Sequence, residues 1–184
     1  MRTLTINSLR RMMRGLFSIR RHLIMKLNID QINEVIVPVE CTLLEVDHAD
    51  GFIDGTYSIK MQKKIISLNE KFVDTFILRI DQQPIGIASV MYRGVDELEY
   101  KIRNIDAFIY NVLIIHEFRG KGYAGILLSL IANELKKQGI REVFLAVSTD
   151  NISAISAYKK IGFEIIDKKS FIRILRHNIP YYVL

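Results

Sequence analysis

Two hydrophobic periods alternate along this chain, and their order points to a fold class. Short runs of β-branched and apolar residues mark strands at Val37–Val46, Thr75–Ile80, Ile85–Tyr92, Phe108–Ile115 and Val143–Val147, with Phe163–Asp167 and Phe171–Leu175 as the final pair. Asp81-Gln82-Gln83-Pro84 separates the second and third runs and makes them a β-hairpin. Helical spacing appears elsewhere. Asp30 can cap a short helix through about Val35, and Tyr57–Phe72 offers Ile59, Ile65, Ile66 and Leu68 as apolar positions. His48–Gly55 is rich in Asp and Gly and reads as a loop. Gly122–Gln138 is the strongest helix, followed by Gly139 where a left-handed cap is favoured, and Ile152–Ile161 is a further helix that ends at Gly162. A hairpin followed by alternating strands and helices predicts an α/β (α+β) chain: a mixed, mostly antiparallel sheet with helices on both faces.

The first residues do not fit that pattern. Leu9, Met12, Met13, Leu16 and Phe17 recur at helical spacing with arginines between them, which predicts a basic amphipathic helix within an N-terminal extension, residues 1–25. Such an arm can touch nucleic acid, a membrane surface or a partner, or lie loosely docked. Arginines interrupt every apolar run that a secretory signal would need. Met25 is an alternative start, and residues 26–184 form one domain on this reading. The net charge of +6 belongs to the arm. Residues 1–26 hold seven basic residues and no acid, so 19 of the 26 Lys and Arg remain against 20 Asp and Glu. The body is therefore near neutral, which argues against a nucleic-acid groove on the domain.

Composition narrows the chemistry further. Cys41 is alone, so no internal disulfide forms, and the four histidines stand far apart, with no metal-ligand spacing. A reducing, cytoplasmic compartment is the simplest expectation, with no metal. The sequence leaves the oligomeric state open, a homodimer included.

The segment NVLIIHEFRGKGYAGILLSLIANELKK is strand, glycine-rich turn and helix. Glycines in Arg119-Gly120-Lys121-Gly122-Tyr123-Ala124 let backbone approach a ligand. The helix start beyond them carries unpaired N–H groups and partial positive charge, a setting for phosphate. It is not a Walker P-loop, and the Gly-x-Gly-x-x-Gly order of a dinucleotide fingerprint fails. A second segment, NISAISAYKKIGF, starts with Asn151 as a helix cap and sets Ala154, Tyr158 and Ile161 on one helix face.

Taken together, the two segments resemble the GNAT superfamily, the Gcn5-related N-acetyltransferases. Arg119, Gly122 and Ala124 match that family's Arg/Gln-x-x-Gly-x-Gly/Ala motif, and Asn151, Ala154, Tyr158, Gly162 and Phe163 match its later motif. The resemblance covers roughly residues 37–175 in layout and is motif-specific over 112–163. It implies a sheet of six to seven strands flanked by about four helices and splayed at the central parallel pair, here 108–115 and 143–147.

It also implies a mechanism. Acetyl-CoA would rest its pyrophosphate on the backbone of Gly120, Lys121, Gly122, Tyr123, Ala124 and Gly125. Its pantetheine arm would pair with Val112, Leu113 and Ile114, whose strand would also polarise the thioester carbonyl. Arg119 and Asn151 join this donor site by motif. Tyr158 would protonate or hydrogen-bond the departing thiolate. Asp106 takes the position of a general base used by histone-type members; Glu99, Tyr110, His116 and a water chain are rivals. Ribosomal-protein members carry a Glu where this chain has Ala146. Acceptor contacts would come from Val46–Tyr57, with Asp47, Asp50 and Asp54, and from His177–Leu184. The acceptor implied is a small amine or amino sugar. A macromolecule reached through the basic arm, or CoA binding without catalysis, are the alternatives.

Overall fold

The computed structural model describes residues 17–46, 73–92, 107–174 and 177–181. Eight strands lie in one sheet: β1 (Phe17–Asn28), β2 (Cys41–Val46), β3 (Val73–Ile80), β4 (Gln83–Tyr92), β5 (Ala107–Ile114), β6 (Glu142–Ser148), β7 (Glu164–Ile174) and β8 (His177–Tyr181). Two α-helices accompany them among the described residues, α1 (Tyr123–Lys137) and α2 (Ile152–Lys160), where about four were expected. The strand order is β2-β3-β4-β5-β6-β1-β7-β8. Every neighbouring pair is antiparallel except β5 and β6, which run parallel. The mixed, mostly antiparallel sheet with a central parallel pair is therefore present.

Alternation along the strands builds the core. Phe76 and Leu78 of β3, Ala88 and Val90 of β4, Ala107 and Ile109 of β5, and Val143 and Leu145 of β6 face α1 and α2 in one cluster. Helix α1 supplies Leu127, Leu128, Ile131 and Leu135, each at 0% exposure. Burial of each contributes about 1.5–3 kcal/mol. The intervening residues Ile77, Ile87, Met91 and Phe108 point to the other face and are buried as well, so both faces of the sheet are covered.

The N-terminal expectation is corrected here. The predicted amphipathic helix spans residues that in part form β1, and the sheet begins at Phe17 rather than at the predicted domain boundary after residue 25. β1 fills the gap between β6 and β7 and pairs with both. Met25 and Leu27 are 0% and 1% exposed within the core. The helical spacing at Leu9, Met12, Met13 and Leu16 lies outside the described residues.

Smaller corrections have local causes. The helix expected from Asp30 is a single 3-10 turn, Ile29–Gln31, capped by the Asn28 side chain. Beyond it the chain is tied to the end of α2, through Asn33 N–H to the Ile161 carbonyl (3.1 Å) and Asn33 Nδ2 to the Lys160 carbonyl (2.9 Å). The strand expected from Val37 starts only at Cys41, because Pro38 sits in a turn whose carbonyl accepts the Cys41 N–H. The last two predicted strands are one, β7, since β1 offers a continuous partner. β8 has no counterpart among the strands that the hydrophobic pattern predicts. The helix expected at Tyr57–Phe72 and the loop at His48–Gly55 lie outside the described residues.

Candidate active site

The parallel pair opens into a fork. β5 pairs with β6 only from Ala107↔Val143 to Ile109↔Leu145. Further along, Ala146, Val147 and Ser148 of β6 pair with Ile24, Leu23 and His22 of β1, while β5 from Tyr110 onward keeps only β4. Among the described residues, one edge of β5 is thus left without a strand partner over Val112, Leu113 and Ile114. An extended ligand arm can pair with such an edge.

A bulge aims that edge. Ile87 pairs with Leu113 and Ser89 with Tyr110, so two steps on β4 span three on β5. The extra residue falls at Asn111 and Val112, and Asn111 has φ +53°. Asparagine tolerates this left-handed conformation better than most residues. Bulges of this kind concentrate beside active sites because they redirect backbone groups. Past the bulge, Gly86 pairs with Ile114. A Cβ there would lie 2.6 Å from Ile114 Cδ1 and 3.2 Å from the Leu113 carbonyl, so a side chain would displace the end of Ile114 and crowd the backbone, and glycine lets β4 approach without either shift. Sequence reasoning alone misses both Asn111 and Gly86. The available signal is a lone Asn inside the apolar run AFIYNVLI.

The glycine turn follows directly. Gly120 and Gly122 have φ +76° and +87°, and Gly122 caps α1. A Cβ at either would meet nothing within 4 Å. Packing therefore does not exclude a side chain; the backbone conformation does. Gly125 N–H and Ile126 N–H both bond the Gly122 carbonyl. Among the described residues, the N–H groups of Gly120, Lys121, Gly122, Tyr123 and Ala124 have no backbone partner. N–H groups left free at a helix N-terminus are the kind that can bind an anion; the N–H of Gly125, expected among the donors, is given to the Gly122 carbonyl.

Arg119 holds the turn in place. Its Nε donates to the Ile114 carbonyl at 2.8 Å, which ties the turn to the end of β5. The Lys121 ammonium sits 5.4 Å from the Phe118 ring centre, and Phe118 packs edge-on against Tyr123.

Asn151 caps α2 as expected, with Oδ1 accepting from the Ala154 N–H and the Ser153 hydroxyl. Tyr158 lies on α2, is 7% exposed and packs against Phe163. Burial pushes its phenol up to about 12. Burial likewise pushes Tyr110 up to about 12, offset in part by the neighbouring Ser89 hydroxyl. His116 and Glu117 are exposed in a 3-10 turn before the glycines. Asp106, Glu99, Asp47, Asp50 and Asp54 lie outside the described residues. Of the expected acceptor tail, 177–181 is the edge strand β8 and 182–184 lie outside the described residues. No group of three or more His, Cys, Asp or Glu that could hold a metal ion occurs among the described residues.

Comparison with known proteins gives this site a family context. A family model described as "Acetyltransferase (GNAT) family" matches residues 43–163. An uncharacterized N-acetyltransferase of Methanocaldococcus jannaschii is 29% identical over 89 residues, covering 48% of this chain and 38% of that protein, so the chain spans well under half of that relative's length. N-alpha-acetyltransferase 30 of Schizosaccharomyces pombe is 34% identical over 128 residues, covering 67% of this chain and 74% of that protein. Among solved structures, a GCN5-related N-acetyltransferase from Kribbella flavida superposes with a TM-score of 0.55 at 12% identity, covering 90% of this chain and 62% of that one.

Proposed function

We propose that this chain, which belongs to the GNAT acetyltransferase family, transfers an acetyl group from acetyl-CoA to a primary amine. The observation that carries the reading is the unpartnered edge of β5 leading straight into five N–H groups without backbone partners at the start of α1. The edge suits an amide-bearing arm, and this cradle of N–H groups suits its pyrophosphate.

In this reading the pantetheine amides bond the backbone of Val112, Leu113 and Ile114. A backbone N–H at the bulge polarises the thioester carbonyl. The free amine attacks the carbonyl carbon, giving a tetrahedral intermediate. The C–S bond then breaks as the new C–N bond is kept, and the nitrogen gives up a proton to a base. Asp106, one residue ahead of β5, is the base in this proposal. The sulfur leaves as thiolate and takes a hydrogen bond from Tyr158. With the phenol at about 12 and an ordinary thiol near 8.5, full proton transfer is uphill by about 5 kcal/mol. Tyr158 is therefore a hydrogen-bond donor, and the thiolate gains its proton later from water.

The acceptor in this reading is a small amine or amino sugar, handled in the cytoplasm. A second class, the α-amine of a protein, draws support from the likeness to N-alpha-acetyltransferase 30. The other alternative, delivery to nucleic acid or membrane by a basic arm, would rest on residues 1–16, since residues 17–25 are held in the sheet. Thiol release from acetyl-CoA in the presence of a panel of primary amines tests the proposal. Amine-dependent release is the expected result; CoA binding with no release for any amine would leave only a binding module.

A further inference from the structure

Three hydroxyl side chains stand in one row across the sheet. Thr75 pairs with Ser89, and Ser89 with Tyr110, so all three point to one face. That face is opposite α1 and α2, since their neighbours Phe76, Ala88 and Ile109 belong to the helix-side core. Thr75 and Ser89 are 3% and 2% exposed, with their hydroxyl oxygens 3.3 Å apart. The row ends at Tyr110, the first residue of β5 beyond the pairing with β6.

There the polar groups stop being satisfied. The Tyr110 hydroxyl, beside the Ser89 hydroxyl, and the Nδ2 of Asn111 are both buried, and neither makes a well-formed hydrogen bond. Two consecutive residues at the fork thus bury donors that are not fully satisfied. Buried polar groups are paired in the great majority of cases, and an exception calls for a group that a ligand or water supplies. Local structure does not require either donor. Phenylalanine would fill the space of Tyr110, and glycine would adopt the φ of Asn111. The described buried residues sharing this face nearby, Ile77, Ile87, Met91 and Phe108, are all apolar. Neutral donors in apolar surroundings suit a neutral oxygen.

We propose that Tyr110 and Asn111, backed by Ser89 and Thr75, form an acceptor subsite that hydrogen-bonds a hydroxyl or carbonyl oxygen carried a few bonds from the attacking nitrogen. The proposal rests on the acetyltransferase reading above and adds the substrate's second functional group. The donor cradle lies past the end of β5, at the start of α1, and the subsite lies on the sheet's opposite face, so the two reactants meet at the bulge from different sides.

The test compares acetyl-CoA-dependent thiol release with glucosamine, alanine amide and cyclohexylamine, using kcat/KM referred to the free-amine fraction. At least one oxygen-bearing amine is preferred over cyclohexylamine by about tenfold or more, the scale of one well-made hydrogen bond. Glucosamine against alanine amide tells hydroxyl from carbonyl. Tyr110→Phe and Asn111→Gly each reduce that preference by about tenfold. Asn111→Gly keeps the left-handed backbone, so a loss there is not one of folding. Three results would overturn the subsite: equal use of cyclohexylamine, a preference that survives both substitutions, or no turnover of either oxygen-bearing amine by protein that binds CoA. Failure of the wild-type protein to bind CoA is a separate outcome, which removes the donor reading and this subsite with it.

Discussion

The turn at Arg119–Gly125 and the strand at Phe17–Asn28 are both rich in basic residues, yet they are built by opposite logics. The turn is local. Its glycines adopt left-handed conformations within a few residues of the helix they start, and the tie that anchors it, Arg119 to Ile114, spans five residues. The strand is wholly non-local. His22 pairs with Ser148 and Lys169, and Lys26 reaches the Glu142 carboxylate at 3.1 Å. The difference teaches that chemistry in this protein is written in short segments, while the continuity of the sheet depends on a segment far from them in sequence.

The sharpest way to break the comparison is to remove β1. Deletion of residues 1–24 takes away Phe17–Ile24 and leaves β6 and β7 joined only through Met25 and Lys26. The expected result is loss of the cooperative thermal transition. A truncated protein that still melts cooperatively and binds CoA would show that the strand is dispensable. Met25→Ala asks the same question gently: a side chain at 0% exposure truncated in a packed core costs about 2–5 kcal/mol, read from denaturant unfolding.

Gly122→Leu probes the opposite region. A Cβ at this position meets no protein atom within 4 Å, so the expected cost to the fold is about 1–2 kcal/mol for the left-handed backbone, while CoA affinity falls on the order of 100-fold as the cradle is filled. Unchanged affinity by calorimetry would move the phosphate site elsewhere.

Tyr158→Phe is a smaller change. A lost hydrogen bond to a charged leaving group lowers kcat by roughly 10- to 100-fold, with CoA binding kept. The sign of the shift matters for pH. Burial raises this phenol to about 12, so it stays protonated, and able to donate, at every pH below that. The descending limb of a kcat profile between pH 7 and 10 should therefore be the same in wild type and Tyr158→Phe; a limb lost in the variant would mean that Tyr158 titrates in this range.

The smallest effect is expected at the β3–β4 hairpin. Asp81 and Gln82 form its two-residue turn with φ of +47° and +70°, the geometry that Asp-Gly serves best. Gln82→Gly should raise stability by about 0.5–1 kcal/mol without touching turnover.

Legibility followed the same division. The hairpin, β5, β6 and both helices could be read to within two residues at either end, because each has its own period and its own stop signal. Gly122 and Asn151 cap their helices as their residue types suggest. β1 was obscured because Arg20, Arg21, His22 and Lys26 interrupt its apolar residues, while the helical spacing just before it was the stronger pattern. The alternation Leu23-Met25-Leu27 carries its strand signal, in only three positions. The bulge and the hydroxyl row were hidden for another reason. They arise from register between strands, and a single Asn, Ser or Thr reveals nothing of which residue it will face.

The position of β1 also has a meaning in time. Phe17–Asn28 leaves the ribosome early, yet its partners in β7 run to Ile174, and Phe17 pairs with Ile174 itself. At typical synthesis rates the chain between them takes on the order of ten seconds to appear. Until β6 and then β7 emerge, a segment with two exposed hydrogen-bonding edges waits beside the growing chain. Its arginines and lysine then do a second service, since charge along an unpaired strand opposes adhesion to other nascent strands. The sheet closes last at its first-made member.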